Sequence, residues 1–128
     1  MNIIKKKYLL KAPVEKVWQS LVNPKIVNEW GGGPAKMSEK EGSKFTLWDG
    51  EIFGKNTEVI KNKKLVQDWY GGKWKEPSIA TFTLTKKGRN TMLDFVQKNV
   101  PDEEAKDIHE GWDDYYFGPM KKYLEKTS

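Results

Sequence analysis

Ser78-Ile79-Ala80-Thr81-Phe82-Thr83-Leu84-Thr85-Lys86, a turn at Lys87-Gly88, and Asn90-Thr91-Met92-Leu93-Asp94-Phe95-Val96-Gln97-Lys98 read as two strands joined by a hairpin. In the first strand Ala80, Phe82 and Leu84 alternate with Ile79, Thr81, Thr83 and Thr85. The polar side is largely threonine, which suits a sheet with one buried and one wetter face. In the second, Thr91, Leu93, Phe95 and Gln97 share one face, and Met92, Asp94, Val96 and Lys98 share the other. Upstream the same β-rich texture predicts strands over 35–39, 43–48, 51–60 and 63–70. Turn signals separate them at Glu41-Gly42, Asp49-Gly50, Lys61-Asn62-Lys63, and from Gly71-Gly72 to Pro77.

Outside this meander the periodicity changes. Residues 3–10 read as a first strand. Pro13 suits the first position of a helix, where its missing N–H costs nothing, and Val14, Val17, Trp18 and Leu21 follow at helical spacing. Asn23-Pro24 starts a second short helix striped by Ile26, Val27 and Trp30, and Gly31-Gly32-Gly33-Pro34 stops it. The tail predicts one long helix. Pro101-Asp102-Glu103-Glu104 sets carboxylates at its N-terminus, and Lys121, Lys122 and Lys126 lie near its C-terminus, both in accord with the helix dipole. Ile108, Trp112, Tyr115/Tyr116, Met120 and Tyr123/Leu124 form its apolar stripe. Pro119 removes a bond to the Tyr115 carbonyl and predicts a kink. The order is strand, two short helices, six strands, one long helix. It predicts a single α+β domain over residues 1–128, with about seven antiparallel strands curved around the C-terminal helix.

Composition narrows the function classes. The chain has 128 residues, 37% apolar and 32% charged, with six Trp, five Tyr and five Phe, which excludes disorder. No apolar run approaches the ~20 residues of a membrane span. The N-terminus places its lysines after its apolar residues, the reverse of a signal peptide, so a cytoplasmic location is expected. Without cysteine there is no disulfide, thiol nucleophile or thiolate metal site, and a single histidine excludes His-rich metal sites. No metal and no cofactor are expected. The net charge is +5, yet of 23 basic residues only Arg89 is an arginine. Sequence readers of nucleic acid prefer the planar arginine fork, so specific nucleic-acid binding is not expected.

Several stretches together resemble one family. They are Lys11-Ala12-Pro13-Val14-Glu15-Lys16-Val17-Trp18 with Asn23-Pro24 and Trp30; Lys44-Phe45 and Asp49-Gly50 with Gly54; Leu65-Val66-Gln67-Asp68-Trp69; Ala80-Thr81-Phe82-Thr83-Leu84-Thr85; and Gly111-Trp112 with Tyr115-Tyr116-Phe117. The chain resembles the C-terminal domain of the activator of heat shock protein 90 ATPase, in the START-like, helix-grip superfamily. The resemblance spans almost all of the chain, and Gly111-Trp112 before Tyr-Tyr-Phe is its most specific piece. It implies a curved seven-stranded sheet gripping the C-terminal helix, with a cavity between them. It also implies a possible small hydrophobic ligand in that cavity, a heat shock protein 90-type chaperone as partner, or both. The eukaryotic co-chaperone carries its stimulating motif on a separate N-terminal domain, so stimulation is not expected here, while docking to a chaperone stays open. Many small members have His where this chain has Gln97, and chemistry resting on that imidazole is not expected. Fold alone does not choose among the superfamily's roles.

The candidate cavity wall is aromatic: Trp30, Trp48, Trp69, Phe82, Phe95, Trp112 and Tyr116, with Gln97 and Tyr116 as its polar groups. The plainer reading is that these side chains fill the core. Trp74, in the loop Gly71–Pro77, is either a partner contact or a side chain folded back on the sheet edge. Lys61, Lys63, Lys64, Lys86, Lys87 and Arg89 meet at one end of the meander, as a patch for an acidic partner or as solvated turn lysines. His109 with Asp113 one turn later has no matching nucleophile, and Asp102, Glu103 and Glu104 cap a helix. Gly31-Gly32-Gly33 lacks the context of a phosphate loop. The favoured function is therefore non-enzymatic binding. The alternative is an enzyme of the polyketide cyclase or dehydratase type, whose polar dyad would come from Gln97, Tyr116, Glu58 or Asp68.

Overall fold

The computed structural model describes residues 2–72 and 74–127. Among them six strands form one open, curved antiparallel sheet: β1 (Asn2–Leu10), β2 (Lys44–Leu47), β3 (Ile52–Ile60), β4 (Lys64–Gly71), β5 (Ser78–Lys87) and β6 (Asn90–Val100). Their spatial order is β1-β6-β5-β4-β3-β2, so β1 crosses to the far side of the meander and pairs with β6. The expected alternation decides the register of the central hairpin. Ala80 lies opposite Gln97, Phe82 opposite Phe95, and Leu84 opposite Leu93. All six are buried on one face.

Six strands form rather than seven, because 35–39 does not join the sheet as a strand. It makes one isolated bridge, Lys36 to Thr46. Side chains take the backbone groups a ladder would use. The Asn56 amide donates to the carbonyls of Ser38 and Lys40, and the Lys40 N–H donates to Ser38 Oγ. Pro34, just before, has no N–H to give.

Helices α1 (Val14–Val22) and α2 (Pro24–Trp30) follow β1. Asn23 caps α2 by accepting from the Lys25 N–H at 3.0 Å, and Gly31 ends it at φ 110°, a conformation open chiefly to glycine. The C-terminal helix starts with a 3₁₀ turn (Asp102–Glu104). It continues as α3 (Ala105–Gly111), a π-helical segment (Trp112–Phe117) and α4 (Gly118–Thr127). The irregularity expected at Pro119 therefore takes the form of this π segment. The Gly118 N–H donates to the Asp113 carbonyl, five residues back. A Cβ on Gly118 would stand 2.2 Å from that same oxygen, so the close approach requires glycine. The segment keeps Trp112, Tyr116 and Phe117 on the buried side together, with Met120 and Leu124 following on α4. They cover the apolar face of the sheet. No helix among the described residues is long and apolar enough to cross a membrane.

Candidate functional site

The C-terminal helix does not cover the sheet evenly. Beneath α4 the interior is filled: Phe82, Phe95, Phe117 and Met120 are at most 1% exposed. Beneath α3 a cleft of about 610 Å³ opens between the helix and the ends of β3 and β4. Trp69, Gly71 and Gly72 line it from the end of β4, Ile52 from β3, and Trp48 and Glu51 from the turn before β3. Trp74 contributes from the loop after β4. The helix supplies Glu104, Asp107, Ile108, Gly111, Trp112, Tyr115 and Tyr116.

Four of the expected wall residues, Trp48, Trp69, Trp112 and Tyr116, line this cleft. The Trp69 and Trp112 rings lie 4.8 Å apart, as do Trp112 and Tyr116, while Trp48 meets Tyr116 edge-on at 6.3 Å. The other four lie in the closed core. The Phe82 and Phe95 rings pack against each other, tilted, at 5.0 Å. Trp30 packs on Tyr116 at 4.7 Å and donates to the Ser20 carbonyl. Gln97 is fully buried and occupied at both ends of its amide: it donates to Ser78 Oγ at 2.8 Å and accepts from Trp112 Nε1 at 2.7 Å. Ser78 Oγ in turn donates to the Trp69 carbonyl, so a buried polar chain ties β4, β5, β6 and the helix together. Gln97 thus anchors the cleft's rear wall instead of facing its interior.

Indole N–H groups sharpen the picture. Trp18 donates to Glu39, Trp30 to Ser20, Trp48 to Gly31, Trp74 to Glu104 and Trp112 to Gln97. Trp69 Nε1 is buried and has no acceptor among the described residues. An unpaired buried donor is uncommon in a folded protein. Burial also pushes the Tyr116 phenol well above its usual range, so it stays neutral across ordinary pH. Trp74 is half-buried, held to the helix start by its bond to Glu104, with its ring edge near Gly71. It therefore forms a side of the cleft.

Sequence reading passed over Glu51, Ile52, Asp107, Ile108 and Tyr115 as cleft residues, and read Glu104 as a cap alone. Ile108 and Tyr115 carried a signal, as members of the helix stripe. The acids carried none, because their proximity depends on how the helix start meets the sheet. Neither Glu58 nor Asp68 lines the cleft. Glu58 pairs with Lys64 at 3.4 Å, and Asp68 alternates with the buried Gln67 and Trp69 and so lies on the opposite face. In the lysine-rich turns Lys61 lies 3.9 Å from Glu39, and Lys86, Lys87 and Arg89 are exposed.

His109 and Asp113 belong to a cluster completed by β1. Lys6 Nζ lies 2.7 Å from Asp113 and 3.2 Å from His109, and the Tyr8 hydroxyl donates to the other Asp113 oxygen. Partial burial works against the Asp113 charge, but the hydrogen bonds from Lys6 and Tyr8 and the nearby basic groups outweigh it. The carboxyl is held below its ordinary value. Burial, and then the bond to Asp113, push Tyr8 up. The cluster fastens β1 to the helix and stands outside the cleft's lining.

The profile of the family described as "Activator of Hsp90 ATPase homolog 1-like protein" matches residues 11–125. A human relative, "Activator of 90 kDa heat shock protein ATPase homolog 1", is 30% identical over 123 residues, which is 94% of this chain and 36% of that protein. The chain thus spans about a third of the length of the curated relatives it matches. Among solved structures, an Hsp90 activator from Plasmodium falciparum superposes with a TM-score of 0.89 at 22% identity, covering 96% of each chain. A protein of the dynemicin biosynthetic locus superposes at 0.83 with 21% identity, over 98% of this chain and 48% of its own. At these identities the structural likenesses show a shared fold.

Proposed function

Since this chain belongs to the Activator of Hsp90 ATPase homolog 1-like family, we propose that it is a binding domain whose α3 cleft receives an apolar surface of a partner protein, a heat shock protein 90-type chaperone. The observation that carries this reading is an open aromatic cleft beside a filled core. Tyr115 stands 67% exposed at its mouth, next to Trp74 and Trp112, and tyrosine and tryptophan dominate interface hot spots. An interior already filled by Phe82, Phe95 and Phe117 favours docking at this open groove over enclosure of a guest within the sheet. The relatives' names supply the chaperone as the partner to test.

Capture of the purified chaperone of the same organism on the immobilised chain tests the proposal. Wild type should retain it, and Tyr115→Ala should lose most of the retention while its circular-dichroism spectrum is unchanged. Equal retention by the variant, or none by wild type, rejects the reading.

A cleft of about 610 Å³ also falls within the size range of small-molecule sites, which supports an apolar ligand as a second reading. Native mass spectrometry of protein purified gently from its own cells tests it. A bound mass that disappears after denaturing extraction supports the ligand, and a bare monomer mass rejects it. The enzymatic alternative draws less support. Gln97 is already held by Ser78 and Trp112, and neither Glu58 nor Asp68 lines the cleft.

A further inference from the structure

The charge around the cleft runs against the charge of the chain. The sequence carries a net +5, with 23 basic residues against 18 acidic ones. Among the described residues lining the cleft there is no lysine, arginine or histidine, while Glu51, Glu104 and Asp107 all line it. Glu51 stands on the sheet side, and Glu104 and Asp107 on the helix side, so the acids face the opening from two directions. The helix start carries further acids near this side, Asp102, Glu103 and Glu110, against Lys106, while Asp113 is taken up by Lys6.

The same lining carries aromatic rings. A cation over an indole or phenol ring is attracted by the ring quadrupole, most strongly over tryptophan. Trp48 and Trp74, both half-buried, and the exposed Tyr115 line the groove together with the three carboxylates and bring both attractions to it. Among the described lining residues an acidic occupant would face three carboxylates. A purely apolar occupant would satisfy the rings and leave the rim unused.

We infer that the α3 cleft recognises a lysine or arginine side chain flanked by apolar residues on an exposed segment of the partner polypeptide, its cation held over the aromatic floor by Glu51, Glu104 and Asp107. This inference rests on the binding role of the cleft and specifies its occupant. A polypeptide fits better than a small free cation because the groove is open and its rim is divided between two elements. The exposed Tyr115 extends the contact surface past the volume a single ammonium group fills.

Tryptophan emission reports on the site directly, since four of the six indoles line it. The full chain is titrated with the blocked pentapeptide Ac-Leu-Lys-Leu-Lys-Leu-NH2, with its norleucine and glutamate counterparts, and with hexyltrimethylammonium chloride. The lysine peptide should bind about tenfold more tightly than the norleucine peptide, and the glutamate peptide should not bind. Raising the salt from about 0.1 M to about 1 M should remove most of that preference. The double variant Glu51→Gln/Asp107→Asn, which spares the bond between Glu104 and Trp74, should abolish it. The salt titration of wild type decides the matter if that variant folds poorly.

Equal binding of the norleucine peptide overturns the cation requirement and leaves the apolar binding role standing. Binding of hexyltrimethylammonium without the lysine peptide overturns the polypeptide occupant. Failure of every peptide, with chaperone capture intact, overturns this choice of occupant alone. Failure of both overturns the binding role as well.

Discussion

Beneath Met120 and Leu124 the C-terminal helix rests on a filled interior. Beneath Ile108 and Trp112 the same helix stands over a cleft of about 610 Å³. The two halves share a sheet and a helix and differ in what closes the ends. Helices α1 and α2 pack on α4 and bring Trp18, Leu21, Val27 and Trp30 into the interior, each no more than 4% exposed. At the other end the short loop between β4 and β5 supplies Gly72 and one ring, Trp74. A loop of that kind cannot fill the volume that two amphipathic helices fill. The comparison teaches that an aromatic-rich interface closes only where a second layer covers it.

Trp112 sits at the boundary between the halves, and its removal should produce the largest effect. Trp112→Ala removes a buried ring packed against Phe95 and Trp69 and strips Gln97 of its donor. It should cost about 3–5 kcal/mol in urea unfolding. A loss below about 1 kcal/mol would show that the closed half stands without it. Gln97→Leu leaves Trp112 Nε1 and Ser78 Oγ without their shared partner and should cost about 1–3 kcal/mol. An unchanged denaturation midpoint would mean the polar chain is not a joint between the two halves. Gly118→Ala drives a methyl group toward the Asp113 carbonyl and should cost about 1–3 kcal/mol as the π segment shifts. Retention of wild-type stability would show that the segment relaxes freely.

The open half should tolerate change. Tyr115→Ala alters an exposed ring and should leave stability within about 0.5 kcal/mol, so its effect belongs to binding alone. The smallest effect lies outside both halves, at Asp113. Its carboxyl is depressed in the folded state, so its contribution is present above the unfolded value of 3.8. That contribution should fade as pH falls through the lower folded value. Asp113→Asn should flatten the acid side of a plot of Tm against pH, and an identical acid limb would remove Asp113 from that dependence.

Much of the fold was legible because burial leaves a period in the chain. The alternation of Ala80, Phe82 and Leu84 and the spacing of Ile108, Trp112 and Met120 follow from which side of an element meets water. The stretch 35–39 misled because its residues suit a strand, while beside the single bridge to Thr46 its backbone is met by the side chains of the distant Asn28 and Asn56. The candidate site was half legible. Large aromatics announced a crowded interface, yet nothing local separates Phe95, which fills it, from Trp69, which lines its opening. Nothing local in Lys6 or Tyr8 pointed to Asp113, more than a hundred residues away.

The sequence by itself determined the α+β class, the element order outside 35–39, the buried face of each central strand and the helix that covers them. These are local consequences of side-chain polarity at fixed periods. The tertiary structure alone decided that the interface is closed at one end and open at the other. It also set three carboxylates around the opening of a basic chain and held Gln97 between Ser78 and Trp112. Such features depend on how separately formed elements meet and how completely their side-chain volumes fill the space between them, which no single stretch of sequence encodes.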